Sequence, residues 1–121
     1  MIQRYHSQRA VVRSVAARIQ AKRFQRGKYV IIELRLRRSI SIIIPAYNEE
    51  KRLPASLEKI KAYLDSQNWD FCEVVVVNDG SRDATEAVAR TANARVLANP
   101  GNRGKGYSVR HGMLEARGEW A

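Results

Sequence analysis

Val74-Val75-Val76-Val77-Asn78-Asp79-Gly80-Ser81-Arg82-Asp83 is the stretch that decides the fold. Four consecutive valines form a short, unbroken, β-branched apolar run. That predicts a strand covered on both faces. The chemistry then changes within one residue. Asn78, Asp79, Gly80 and Ser81 are turn formers, and Gly80 can adopt a positive φ at little cost. Asp83 can cap a following helix, with Glu86 three residues on to complete a capping box. The stretch therefore reads as strand, polar loop, helix. In an open α/β sheet, ligands sit where strands end and such loops gather. Asp79 is the first candidate binding residue. Two readings of it stand: a ligand contact, or an Asx-turn to its own backbone.

The 121 residues allow one small domain with a hydrophobic core, since 45% of them are apolar. The net charge of +10 is unevenly placed. Residues 1–38 carry eleven Lys/Arg and one acid, Glu33, whereas residues 39–121 carry eleven of each sign. The charge belongs to the N-terminal segment. Such a segment suits nucleic acid or an anionic membrane surface. The single cysteine, Cys72, excludes an intrachain disulfide and reads as a buried structural thiol. No apolar run reaches the length of a membrane-crossing helix.

Outward from the valine run, the rest of the chain falls into alternating elements. In residues 1–26, Arg4, Arg9, Arg13 and Arg18 recur at spacings of five, four and five. That leaves three readings: a weakly amphipathic basic helix, a disordered basic tail, or a segment foreign to the native domain. Tyr29–Leu36 alternates loosely as an extra strand. The domain boundary falls near residue 39, giving a basic extension (1–38), helical or disordered, and an α/β domain (39–121).

Ser39–Ile44 is a strand by composition, ending at Pro45, which cannot donate to a ladder. Leu53, Leu57, Ile60 and Leu64 mark one face of a helix, with Pro54 tolerated in its first turn. Cys72–Val77 is the second strand and Asp83–Ala92 the second helix. Ala94–Ala98 is a third strand, and Asn99–Gly106 a glycine-rich loop. Tyr107–Ala116 is a third helix, with Gly118 as a C-cap. Glu119-Trp120-Ala121 is the approach to a fourth strand. This order predicts a parallel sheet with helical crossovers.

All three βα loops should open on one sheet edge. There Tyr47 offers a ring and a hydroxyl, Glu49 and Asp79 offer carboxylates, and Arg103 and Lys105 offer cations, while Gly104 and Gly106 permit close backbone approach. That set suits a nucleotide carrying phosphates. A dinucleotide fingerprint is missing after the first strand, and Gly101–Gly106 is too short for a Walker A loop and lacks its Ser/Thr. His111 reads as a helix-surface or packed histidine. No nucleophilic triad or metal-ligand cluster is visible.

Three segments together carry a resemblance: Ile42-Ile-Ile-Pro-Ala-Tyr-Asn-Glu-Glu50, Val75-Val-Val-Asn-Asp-Gly-Ser-Arg-Asp-Ala-Thr85 and Asn99-Pro-Gly-Asn-Arg-Gly-Lys-Gly-Tyr107. In order and separation they resemble family 2 glycosyltransferases of GT-A fold. The third, with Val109-Arg-His-Gly-Met113, looks most like dolichyl-phosphate β-glucosyltransferases and polyprenyl-phosphate relatives. The resemblance covers about residues 40–121. It implies an α/β, three-layer, Rossmann-like half with a parallel sheet, apparently truncated. It implies nucleotide-sugar contacts from Pro45, Ala46, Tyr47, Glu49, Asp79, Gly80, Gly104 and Lys105, with Asp79 on the base. A role of Lys105 on the diphosphate is an inference from its charge.

The activity so implied is transfer of a hexose, glucose by preference, from a UDP-sugar to a dolichyl or polyprenyl phosphate. A divalent metal, Mg or Mn, is implied as well. The Asp-x-Asp motif that would hold it does not occur in the sequence, and a fragment of this extent is expected to be inactive alone. The implied location is cytoplasmic, peripheral at the membrane face. The rival reading is a basic binding module for nucleic acid or anionic membrane, with residues 39–121 as non-catalytic scaffold. Few aromatics interleave the basic residues, so nucleic acid is the weaker partner of the two.

Overall fold

The computed structural model describes residues 18–23, 30–35 and 37–121, the first two segments as backbone. The chain divides into two compact units, Met1–Arg38 and Ser39–Ala121. In the first, β1 (Arg18–Arg23) pairs antiparallel with β2 (Val30–Arg35), in register from Arg18 opposite Arg35 to Arg23 opposite Val30. The strand expected within Tyr29–Leu36 is present. The helix-or-tail reading fails for Arg18–Arg23. The Val-Ile-Ile run of β2 favours pairing, and it gives the neighbouring basic segment a backbone partner that a weak arginine periodicity could not outweigh. The rest of that reading, residues 1–17 and 24–26, lies outside the described residues.

In the second unit, β3 (Ser39–Ala46), β4 (Phe71–Asn78) and β5 (Arg95–Ala98) form a parallel sheet in the order β3-β4-β5. The crossovers are α1 (Leu53–Ser66) and α2 (Thr85–Thr91), and α3 (Lys105–Glu115) follows β5. Successive strand residues face opposite sides. Ile44, Val74, Val76 and Val96 pack with Leu53, Leu57, Val88 and Ala89 under α1 and α2. On the other face, Ile43 and Val77 meet α3 at Gly112. The result is three layers. Val75, Val76 and Val77 are fully buried, each worth about 2 kcal/mol of apolar burial. That is why the valine run occupies the central strand.

Pro45 lies inside β3 rather than ending it. Ala46 O accepts from Asp79 N on the β4 side, whereas Ser41 N and Ser39 O bond to Trp120 on the other. Alternation puts the nitrogen of Pro45 on the Trp120 side, so no bond to β4 is lost. The approach to a fourth strand is also visible: Trp120 bridges Ile40 in parallel.

Cys72 is exposed, not buried as the sequence reading had it. Its neighbours on the same strand face are covered by α1 and α2. Cys72 is left lining an open groove of about 340 Å³ with Lys61, Leu64 and Phe71.

That amino end carries a polar clamp. Glu73 accepts from Ser41 Oγ at 2.6 Å, Arg117 N at 2.8 Å and Arg95 Nε at 3.0 Å. Ser41 Oγ also accepts from Gly118 N at 2.8 Å, and Ser39 Oγ from Glu119 N at 2.9 Å. Together these bonds hold the turn after α3 against β3. The Glu73 side chain is only 11% exposed. Burial works against its ionisation, but the bonds from Ser41, Arg117 and Arg95 outweigh it and hold its pKa below the ordinary value.

Two predictions follow from this packing. A methyl group on Gly112 would stand 2.3 Å from Ile43 Cγ2. Gly112→Ala should therefore lower stability by about 1–3 kcal/mol in urea unfolding, despite the ~1 kcal/mol helix preference of Ala; a gain in stability would refute the close α3–sheet contact. Glu73→Gln should cost about 2 kcal/mol at pH 7, the value of hydrogen bonds to a charged group. Because the folded pKa is depressed, this contribution is complete above the unfolded value of about 4.5 and is lost as pH falls through the folded value. Unfolding curves of the two proteins should thus converge on acidification, and a constant gap would count against the clamp.

Candidate nucleotide-sugar site

The three βα loops meet at the carboxyl edge of the sheet, and the middle one joins the other two. Asn48, in the left-handed region at φ 51°, donates from N to Ser81 Oγ at 3.0 Å and accepts from Arg82 N at 2.9 Å. Glu49 N donates to Thr85 Oγ1 at 2.9 Å. Glu50 N donates to Asp83 Oδ2 at 3.2 Å, while Glu50 Oε2 accepts from Ala84 N at 3.0 Å. The first loop is therefore tied to the second by five bonds.

Asp83 does not form the expected capping box with Glu86. Its carboxylate takes the backbone N–H and hydroxyl of Thr85, and the Thr85 hydroxyl bond is the main reason its pKa is lowered. Glu86 instead binds Arg90 at 2.8 Å and Asn78 Nδ2 at 3.3 Å. The helix starts at Thr85, two residues later than Asp83, so Glu86 lies in the first turn and faces the strand end and the next turn.

Asp79 makes the second junction. Its Oδ1 accepts from Arg103 N at 2.7 Å and from Asn99 Nδ2 at 2.8 Å, and its Oδ2 accepts from Gly104 N at 2.9 Å. The residue is 5% exposed. The Arg103 amide is the chief cause of its lowered pKa, with Asn99 and Gly104 adding to it against burial. The local side-chain-to-backbone bond of this turn is made not by Asp79 but by its neighbour: Asn78 Oδ1 accepts from Ser81 N at 3.0 Å. Asp79 reaches across to the glycine-rich loop instead. Gly80, at φ +75°, allows that approach, because an added Cβ would sit 2.8 Å from Asn102 N and Gly101 C.

Among the residues expected from sequence, Asp79 bonds directly to Gly104, Gly80 packs on the same loop at Gly101 and Asn102, and Ala46 joins them through its carbonyl. Pro45 is half-buried beneath them. Glu49 pairs with Arg52 at 2.6 Å, so its carboxylate is engaged at the start of α1. Tyr47 is 43% exposed, and Lys105 is exposed at the first residue of α3. These two side chains stay open to a ligand while the polar atoms around them are occupied. Sequence reasoning missed Asn48, Asp83, Asn99, Ser108 and His111. Asn48 and Asn99 had a signal, each being an Asn at a strand end before a turn. His111 had none.

The implied divalent metal finds no ligand set among these residues. Among the described residues no three His, Cys, Asp or Glu side chains gather to hold a metal ion. What the site offers is binding and orientation: an exposed ring, an ionised carboxylate with one acceptor lobe of Oδ2 unused, and a lysine at a glycine-rich helix start. Gly80→Ala should cost about 2 kcal/mol or more in stability, since the positive φ and the backbone contact penalise the methyl together. Urea unfolding checks this, and an unchanged midpoint would contradict the packing of the second loop on the third.

Comparisons with known proteins identify the family. The model of Glycosyl transferase family 2 matches residues 41–121. A dolichyl-phosphate beta-glucosyltransferase of Drosophila melanogaster is 47% identical over 91 residues, covering 65% of this chain and 28% of that protein. The Mus musculus enzyme of the same name is 40% identical over 93 residues, covering 68% and 29%. The chain thus spans less than a third of the length of these relatives. Among solved structures, glucosyl-3-phosphoglycerate synthase from Mycobacterium tuberculosis, in complex with Mn2+ and uridine-diphosphate-glucose, superposes with a TM-score of 0.56 at 30% identity, covering 67% of this chain and 30% of that one. With the family match extending from β3 to the last residue, the chain belongs to glycosyl transferase family 2.

Proposed function

We propose that the protein to which these residues belong transfers glucose from UDP-glucose to a dolichyl or polyprenyl phosphate, and that residues 39–121 bind the nucleotide. The observation that carries this reading is the junction of three βα loops through Asp79, with Tyr47 and Lys105 exposed beside it. The name of the curated relatives, dolichyl-phosphate beta-glucosyltransferase, supports the acceptor class. The Mycobacterium tuberculosis complexes with UDP and with UDP-glucose support the donor class.

In this reading the ring of Tyr47 stacks on the base and Asp79 accepts an N–H from it. Pro45, Ala46, Glu49 and Gly80 shape the pocket floor. Lys105 faces the diphosphate. An acceptor phosphate oxygen attacks the anomeric carbon as the bond from that carbon to UDP breaks, and the electron pair leaves with UDP. The acceptor is already anionic at neutral pH, so no strong general base is required. The divalent metal would be held by residues outside those described, as would the lipid acceptor. Among the described residues no helix is long and apolar enough to cross a membrane; action on a lipid phosphate at the cytoplasmic face is part of the same proposal.

Calorimetric titration of the 121-residue chain with UDP-glucose tests the nucleotide reading. Asp79→Ala should abolish binding. That variant also releases the glycine-rich loop, so the exposed residues give the cleaner test. Tyr47→Ala should weaken binding about tenfold, within the range for base–aromatic stacking, and leave the unfolding midpoint unchanged. Lys105→Ala should weaken UDP-glucose more than uridine. Equal affinities for wild type and both exposed-residue variants would overturn the assignment.

A further inference from the structure

Behind Asp79 lies a second layer of hydrogen bonds that neither the motif nor the nucleotide reading uses. Asn99 is buried at the end of β5. Its Nδ2 donates to Asp79 Oδ1 and to Ser108 Oγ, both at 2.8 Å. Ser108 Oγ in turn donates to Gly104 O at 3.1 Å. Asn99 Oδ1 lies 2.7 Å from His111 Nδ1. The orientation of the amide follows from its partners. An ionised carboxylate can only accept, so the NH2 of Asn99 must face Asp79 and its oxygen must face His111. His111 therefore carries its proton on Nδ1. That nitrogen is a donor in both the neutral and the charged imidazole, so the bond does not depend on which form is present.

We infer that His111 is a positioning residue of the nucleotide pocket: its Nδ1–H fixes the Asn99 amide, which fixes the Asp79 carboxylate beneath the glycine-rich loop. Both N–H groups of Asn99 are then used, by Asp79 and Ser108, and its oxygen accepts from His111. Rotation of the amide would place two acceptors against each other at Asp79 and two donors at His111. The ring is held from the side by Tyr107, edge-on at 6.3 Å and 69°. It is also held by its own helix, since Gly112 seats α3 against Ile43 and Val77. The pocket is thus organised before any ligand arrives, as a supporting shell requires. The functional part of this inference rests on the proposed contact between Asp79 and the nucleotide. The positioning part does not.

The two parts are read separately in the full 121-residue chain. Amide hydrogen exchange at Arg103 and Gly104, the two N–H groups Asp79 accepts, reports the carboxylate without any ligand. In His111→Phe, which keeps an aromatic ring but removes the donor, exchange at both should rise about fivefold to tenfold, the worth of one hydrogen bond. The amides of Val75–Val77 should not change. His111→Asn, whose amide nitrogen sits where Nδ1 does, should restore the wild-type rates. Asn99→Ala should release the same two amides by a second route, and it decides the matter if His111→Phe does not fold. Unchanged exchange at Arg103 and Gly104 in His111→Phe, or in Asn99→Ala in that case, overturns the inference.

UDP affinity, measured on the same proteins, should fall about fivefold to tenfold in His111→Phe and recover in His111→Asn. Released amides with undiminished UDP affinity would keep the positioning role and sink the Asp79–nucleotide contact. An imidazole protonated on Nε2 rather than Nδ1, read from its 15N shifts, would overturn the positioning role directly.

Discussion

The Asp79 carboxylate is the contact on which the carboxyl edge of this sheet depends. It follows the most buried strand, directly beyond the fully buried Val75–Val77 and the buried Asn78. From there it collects two backbone N–H groups and one side-chain amide from a loop 20 to 25 residues away. A glycine-rich loop has few side chains of its own to anchor it and a large conformational entropy to lose. A single ionised acceptor that collects several of its donors supplies the anchor. The arrangement makes one residue both structural and available, because Oδ2 accepts only one of these bonds and keeps capacity for a ligand.

The two ends of the sheet are stabilised differently. At the carboxyl edge, bonds run between loops and leave Tyr47 and Lys105 projecting. At the amino edge, Glu73, Ser41, Ser39 and Arg95 clamp the turn after α3 onto β3 and set Trp120 in parallel beside Ile40. The amino edge is closed onto β3, whereas the carboxyl edge leaves two side chains exposed. Gly112 and Gly118 serve the closed arrangement, since a Cβ on either would collide with β3. Gly80 serves the close packing of the second loop on the third.

Much of this was legible in the sequence. The valine run, the leucine spacing of α1 and the turn residues after each strand fix element type through periods of 2.0 and 3.6. Parallel pairing of the strands then brings three loops to one edge. What sequence could not supply were partners distant along the chain. Asp79 bonds to residues 99, 103 and 104, so no local pattern separates an Asx-turn from a loop anchor. Pro45 looked like a strand terminator because its consequence depends on which side of β3 pairs with β4. Cys72 looked buried because its strand is apolar, yet at the amino end of that strand it lines an open groove. His111 carried no signal, since its role exists only through Asn99. Arg18–Arg23 misled because strand pairing is decided by the partner strand, not by the spacing of arginines.

The central claim is that the loop cluster around Asp79 is where the nucleotide binds. The most direct measurement is a titration of the 121-residue chain with UDP followed by amide chemical shifts. The account predicts perturbations confined to residues 45–50, 78–82 and 99–106, with saturation at one common affinity. Perturbations centred on the groove of Lys61, Cys72 and Arg95 at the opposite edge, or none in a folded sample, would contradict it.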